Sequence, residues 1–147
     1  MNTSNADRVR AHTADPVNAR IDREIEQSVA SLSGRGADDI ARRLEELDRE
    51  WDVERVLETN ASSLAFIGLA LGIAHDRRWL AVPAIVLPFL FQHAVQGWCP
   101  PLPILRRLGV RTREEIDREK YALKALRGDF DRVRTGDAAS AVAAARQ

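Results

Sequence analysis

The sequence predicts an all-α fold: a two-span transmembrane helical hairpin with flanking amphipathic cytosolic helices. Three observations carry that prediction. Residues 59–105 hold only three charged side chains, Asp76, Arg77 and Arg78, whereas the other 41 of the 44 lie outside that stretch. On either side of it, apolar residues recur at helical spacing between charged ones, as on half-solvated helices. A Trp also stands at each end of the second uncharged run, at Trp79 and Trp98, where an amphipathic ring prefers the membrane–water boundary.

Bulk composition hides this organisation. With 147 residues, 22 basic and 22 acidic groups and 45% hydrophobic residues, the chain would pass for one soluble domain. Its neutrality is a sum of unlike parts. Residues 1–58 carry 9 basic and 14 acidic groups (net −5), the middle is +1, and residues 106–147 carry 11 basic and 7 acidic groups (net +4). That distribution fits neither a uniformly basic nucleic-acid binder nor an acidic disordered tail, so no nucleic-acid partner is expected. The single cysteine excludes an internal disulfide, and no Cys/His cluster has zinc spacing. With no P-loop, G-x-S-x-G or H-E-x-x-H motif, no enzymatic activity, metal or cofactor is expected. The first 40 residues contain no signal-peptide-like apolar core, so the N-terminus is expected to stay in the cytosol.

Along the chain, residues 1–14 are polar, lack an apolar period and read as a disordered leader. Asp15-Pro16 then offers an N-cap and a first helical residue, and Ile21, Ile25, Val29 and Leu32 recur at helical spacing until Gly34-Arg35-Gly36. A second helix is expected over 38–58, with Ile40, Leu44, Leu47 and Trp51 on one stripe. Both stripes are narrow, so the two helices of this 15–58 arm should pair with each other or with another chain.

The middle, residues 59–105, divides at His75-Asp76-Arg77-Arg78. Trp79 to Trp98 would span about 28 Å as a helix, close to a hydrocarbon thickness of about 30 Å. Pro83 and Pro88, breakers of soluble helices, are tolerated in membrane helices. Asn60 to Ala74 is shorter, but a four-residue turn obliges it to cross if the second run does, with flanking residues or a thinned bilayer making up the length. Arg43, Arg49, Arg55, Arg106, Arg107, Arg111 and Arg113 flank the outer ends and only Arg77 and Arg78 the turn, which predicts both termini in the cytoplasm. Gly97-Trp98-Cys99-Pro100-Pro101-Leu102-Pro103 ends the second span. A basic juxtamembrane helix over 106–130 opens on a Thr112/Glu115 capping box and closes near Gly128; residues 131–147 should be a flexible tail.

Within this frame a few residues stand out. Ala61, Ala65, Gly68 and Gly72 share one face, a small-residue stripe suited to close helix packing, either against the second span or against another copy in a homodimer or higher homo-oligomer. Gln92, His93 and Gln96 near the end of the second span read as polar groups bonding between helices or as part of a proton or solute path, although no intramembrane Asp or Glu supports a pump. Cys99 is either a structural thiol or a reactive one open to S-acylation or sulfur chemistry. Arg106, Arg107, Arg111 and Arg113 form a cluster suited to anionic lipid headgroups. Trp79 and Trp98 are the expected interface anchors.

The run Gly97-Trp98-Cys99-Pro100, after a short apolar hairpin with the glycine-rich Gly68-Leu69-Ala70-Leu71-Gly72, resembles the signature of the YgaP-type inner-membrane domain. The resemblance covers roughly residues 53–110 and implies a dimer-forming hairpin in a bacterial inner membrane, with Cys99 at the family's motif cysteine. Some relatives carry a rhodanese domain, but the arms here lack the alternating strand-and-helix pattern it needs, so sulfurtransferase activity is not carried over. The expected function is a non-enzymatic membrane anchor or scaffold that touches lipid, oligomerises through its hairpin and presents cytosolic helices to a protein partner. The alternative is a thiol- or sulfur-handling membrane protein using Cys99.

Overall fold

In the computed structural model, which describes residues 8–131 and 138–145, every regular element is helical and no strand occurs among the described residues. The chain forms two compact units, one of residues 1–21 and 51–114 and the other of residues 22–50 and 115–147.

The first unit opens on α1 (Arg8–Ala11), a single turn inside the stretch expected to be a disordered leader. It is ordered because Val9 is buried with Val53, Leu57, Cys99 and Leu102, an apolar contact that the local composition does not reveal. Thr13 Oγ1 donates to the Val9 carbonyl (2.7 Å) and Asn18 Nδ2 to that of Arg10 (3.0 Å), tying the turn to α2 (Asp15–Leu32). The Ala14 carbonyl accepts from both Val17 and Asn18, so α2 begins one residue earlier than the Asp15 cap suggests.

The helix expected over 38–58 is two helices. The break falls at residues 50–52, where Asp52 turns extended and its carboxylate accepts from the Arg55 N–H (2.8 Å), capping α4 (Val53–Ala74). A new N-cap satisfies orphan donors that a continuous helix would not have exposed. Trp51 therefore leaves the apolar stripe assigned to it: it is 45% exposed, with the Arg55 guanidinium 4.4 Å above its ring. The apolar helix accordingly starts at Val53, before the expected boundary at residue 59.

At the other end of α4, Asp76 accepts from the Arg78 N–H (2.8 Å) and starts a 3-10 turn over Arg77–Leu80, from which α5 (Ala81–Gln96) continues. These two helices pack along each other. A Cβ at Gly68 would lie 2.7 Å from Pro83 Cδ and 2.8 Å from Val82 Cβ, and one at Gly72 would lie 2.7 Å from Leu80 Cγ. Only hydrogen fits at either place. Two helical stretches, one ending at Ala74 and one over Arg77–Gln96, are long and apolar enough to cross a membrane.

Helix α5 ends at Gly97, whose φ of +74° is the left-handed C-cap conformation that glycine adopts without strain. After it comes α6 (Leu102–Arg107), a short helix where only a break was expected, held because Leu102 is fully buried in the cluster around Cys99.

In the second unit, Val29 and Leu32 pack on a core made by Ile40, Leu44 and Leu47 of α3 (Ala37–Arg49) and by Ile116 and Leu123 of α7 (Arg113–Arg127). Glu119 is fully buried there and accepts from Arg43 Nε (2.9 Å) and Ser28 Oγ (2.6 Å). Arg118 pairs with Asp22 (3.1 Å) and Lys120 with Asp48, so acidic residues of the first arm and basic residues of the last meet directly. Gly128, at φ +83°, terminates α7, and the Asp129 N–H returns to the Lys124 carbonyl (3.1 Å). The expected flexible tail contains α8 (Ala138–Ala145), an alanine-rich helix with Ala144 buried; residues 132–137 and 146–147 lie outside the described set.

Candidate functional site

The residues singled out from the sequence fall on three parts of the first unit. The first is the α4/α5 seam. Gly68 and Gly72 are buried in it, against Trp79, Leu80, Val82 and Pro83 of the same chain. Of the two roles open to the small-residue stripe, packing within the chain therefore occupies its glycine end. Ala61 and Ala65 are only half-buried, and Ala61 lines a cavity. Outward from the seam, α4 and α5 expose large apolar side chains, among them Phe66 (74%), Ile73 (79%) and Phe91 (71%). Trp79 is exposed, whereas Trp98 is partly buried on the core around Cys99.

The second part is the junction after α5. The last carbonyls of a helix lack intrahelical donors and carry its negative dipole end. Here the Arg8 guanidinium supplies both a donor and a positive charge, reaching the Ala94 and Val95 carbonyls at 3.0 and 2.9 Å. A Cβ on Gly97 would come 2.5 Å from Arg8 Cβ, so this glycine provides both the turn and the room for α1 to dock. Cys99 lies below, 3% exposed among Val9, Val53, Leu57 and Leu102.

Two cavities of about 330 Å³ each flank His93. One is apolar, between α4 and α5 and floored by Cys99, Pro100 and Pro101; the other is lined by Arg8, Glu54, Glu58 and Gly97. His93 is 8% exposed and its Nδ1 has no hydrogen-bond partner among the described residues. Beside it, Gln92 and Gln96 bond to each other at 3.4 Å.

The third part is the arginine cluster, where expectation and structure diverge. Arg106 is 1% exposed, its guanidinium held by Thr13 Oγ1 (3.1 Å), Asn18 Oδ1 (3.1 Å) and the Val110 carbonyl (3.0 Å). Arg111 is buried too, and its carbonyl accepts from the Val53 N–H (3.0 Å). Both side chains are withdrawn from the surface, so neither presents its charge to a lipid headgroup. Arg107 and Arg113 remain exposed, Arg113 standing 3.9 Å from Asp52. An arginine in a polar sequence is ordinarily solvated, so nothing in the local pattern separates Arg106 from Arg107. The position of Arg106 four residues after buried Leu102, on the same face of a short helix packed on the core, is what draws it in.

Sequence reasoning missed Arg8, Val9, Thr13, Asn18 and Glu54 as parts of this region. A four-residue helix offers no period to detect, and the partners of Arg8 lie 86 and 87 positions away. Among the described residues, no group of three or more His, Cys, Asp or Glu side chains is placed to hold a metal ion. Compared with known proteins, the chain matches no family model, no curated protein and no solved structure.

Proposed function

We propose that the protein is a non-enzymatic inner-membrane anchor. In this reading α4 and α5 cross the bilayer as a hairpin with both ends on the cytoplasmic side, and the flanking helices are presented to a cytosolic protein partner. The observation that carries the reading is the outer surface of the pair, where Leu64, Phe66, Ile67, Leu69, Ile73, Ile85, Leu87, Phe91 and Val95 are all at least 48% exposed. A soluble chain rarely leaves so many large apolar groups in one patch uncovered. Hydrocarbon accommodates them without cost, and the helical backbone satisfies its own polar groups there. At 1.5 Å per residue the uncharged residues 59–74 of α4 extend about 24 Å, which a locally thinned hydrocarbon core accommodates, with Glu54, Arg55 and Glu58 at the cytoplasmic boundary.

The resemblance to the YgaP-type domain supports the same placement through Gly97-Trp98-Cys99-Pro100. Burial of Cys99 within an apolar cluster favours the anchor over the thiol-handling alternative, since a reactive thiol sits in an electropositive, partly open site. A homo-oligomer would have to form on faces other than the one already filled at Gly68 and Gly72. Carbonate extraction of membranes from expressing cells tests the reading: the protein should stay in the pellet, and its release into the supernatant would refute the membrane placement.

A further inference from the structure

The apolar cavity between α4 and α5 has walls from Leu64, Val86, Phe89, His93, Cys99 and Pro101 among others, and its volume of about 330 Å³ equals that of the polar cavity on the other side of His93. Sites for small molecules are typically apolar hollows of roughly 300–1,000 Å³ with a few polar groups placed to orient the ligand. This cavity has that composition. His93 is more than nine-tenths buried, and its Nδ1 finds no partner among the described residues. A buried imidazole nitrogen without a hydrogen bond is costly, and rotation about its last side-chain torsion can turn either ring nitrogen toward the cavity. Leu64 and Phe89, 50% and 40% exposed, form the outer lip on the surface assigned to lipid, so a ligand longer than the cavity can trail into the acyl region.

We propose that this cavity binds a lipid-soluble molecule that is apolar except for a small oxygen-bearing head group, one oxygen of which bonds to His93. A fatty acid and a neutral alkyl quinone share that chemistry. The lipid source of the ligand rests on the membrane reading, but occupancy of the cavity does not, and the two are measured separately: carbonate extraction reports placement, ligand titration reports the cavity.

The experiment uses the full chain in lipid nanodiscs with its three histidines isotopically labelled, titrated with dodecanoic acid, a short-chain alkyl benzoquinone, or dodecane. At least one of the oxygen-bearing probes should give a saturable shift of the His93 ring nitrogens, with His12 and His75 unchanged and dodecane inactive. A response to the acid alone assigns the carboxyl class, to the quinone alone the carbonyl class, and to both the shared oxygen. Ala61→Phe, which fills the cavity from α4, should abolish the response while the His93 signal persists; Val86→Phe serves if the first variant loses its helical signal. His93→Phe should weaken binding of the active probe about tenfold, measured by equilibrium dialysis. No shift with either oxygen-bearing probe, an equal shift with dodecane, or a response undiminished in the filled variant would each overturn the proposal.

Discussion

Replacing Gly97 with alanine loads two costs onto one atom. At φ +74° an alanine sits in the left-handed region, at about 1–2 kcal/mol. Its Cβ would also stand 2.5 Å from Arg8 Cβ and 3.0 Å from the Arg8 carbonyl carbon, too close for α1 to remain docked. If α1 lifts away, the two bonds from Arg8 to the Ala94 and Val95 carbonyls are lost, at about 0.5–1.5 kcal/mol each. Val9, now 4% exposed, is uncovered at about 1.5–3 kcal/mol. The total is about 3.5–8 kcal/mol, roughly a 10–25 °C fall in midpoint for a chain of this size. Thermal unfolding in mild detergent, followed by far-UV circular dichroism, reads it. A double-mutant cycle isolates the cause, because Arg8→Gly removes the atom struck first. In that background Gly97→Ala should cost only the backbone strain of about 1–2 kcal/mol. Additivity within about 0.5 kcal/mol would sink the argument that Gly97 is required for close approach of α1.

Two further outcomes follow from burial and charge. Arg106→Ala should destabilise the protein by about 3–5 kcal/mol, since it leaves Thr13, Asn18 and the Val110 carbonyl without their donor and opens a void. Arg107→Ala should change the unfolding midpoint by less than the equivalent of about 0.5 kcal/mol, and equal effects would reject the distinction between the two arginines.

How much of this was legible in the sequence depended on what each residue answers to. The apolar helices were readable because exclusion of charge over residues 59–105 is a property of composition, not of partners. The stops at Gly34, Gly97 and Gly128 were readable because all three carry the positive φ that glycine tolerates. The break at Asp52 was not, because Leu44, Leu47 and Trp51 keep a helical period up to its edge, no glycine or proline marks a stop, and only the capping carboxylate shows the interruption. Docking of Val9 was invisible for a different reason: one apolar residue in one turn has no pattern, and its value comes from Val53, Leu57, Cys99 and Leu102, all distant in the chain. At the candidate site, Cys99 and His93 were noticed as residue types. The cavities beside them exist only because α4, α5 and the Pro100-Pro101 segment fail to fill the space between them.

The bond from Arg8 to Ala94 also sets an order of events in synthesis. In α1, Arg8 leaves the ribosome 86 residues before the carbonyl that receives it. At roughly 5–20 residues per second, α1 waits on the order of several seconds with Val9 exposed. Only a chain whose second apolar helix has been completed and turned at Gly97 offers it a seat. A segment made early thus becomes the latch on a helix made much later, and a chain stalled before that point is distinguishable by an α1 left undocked.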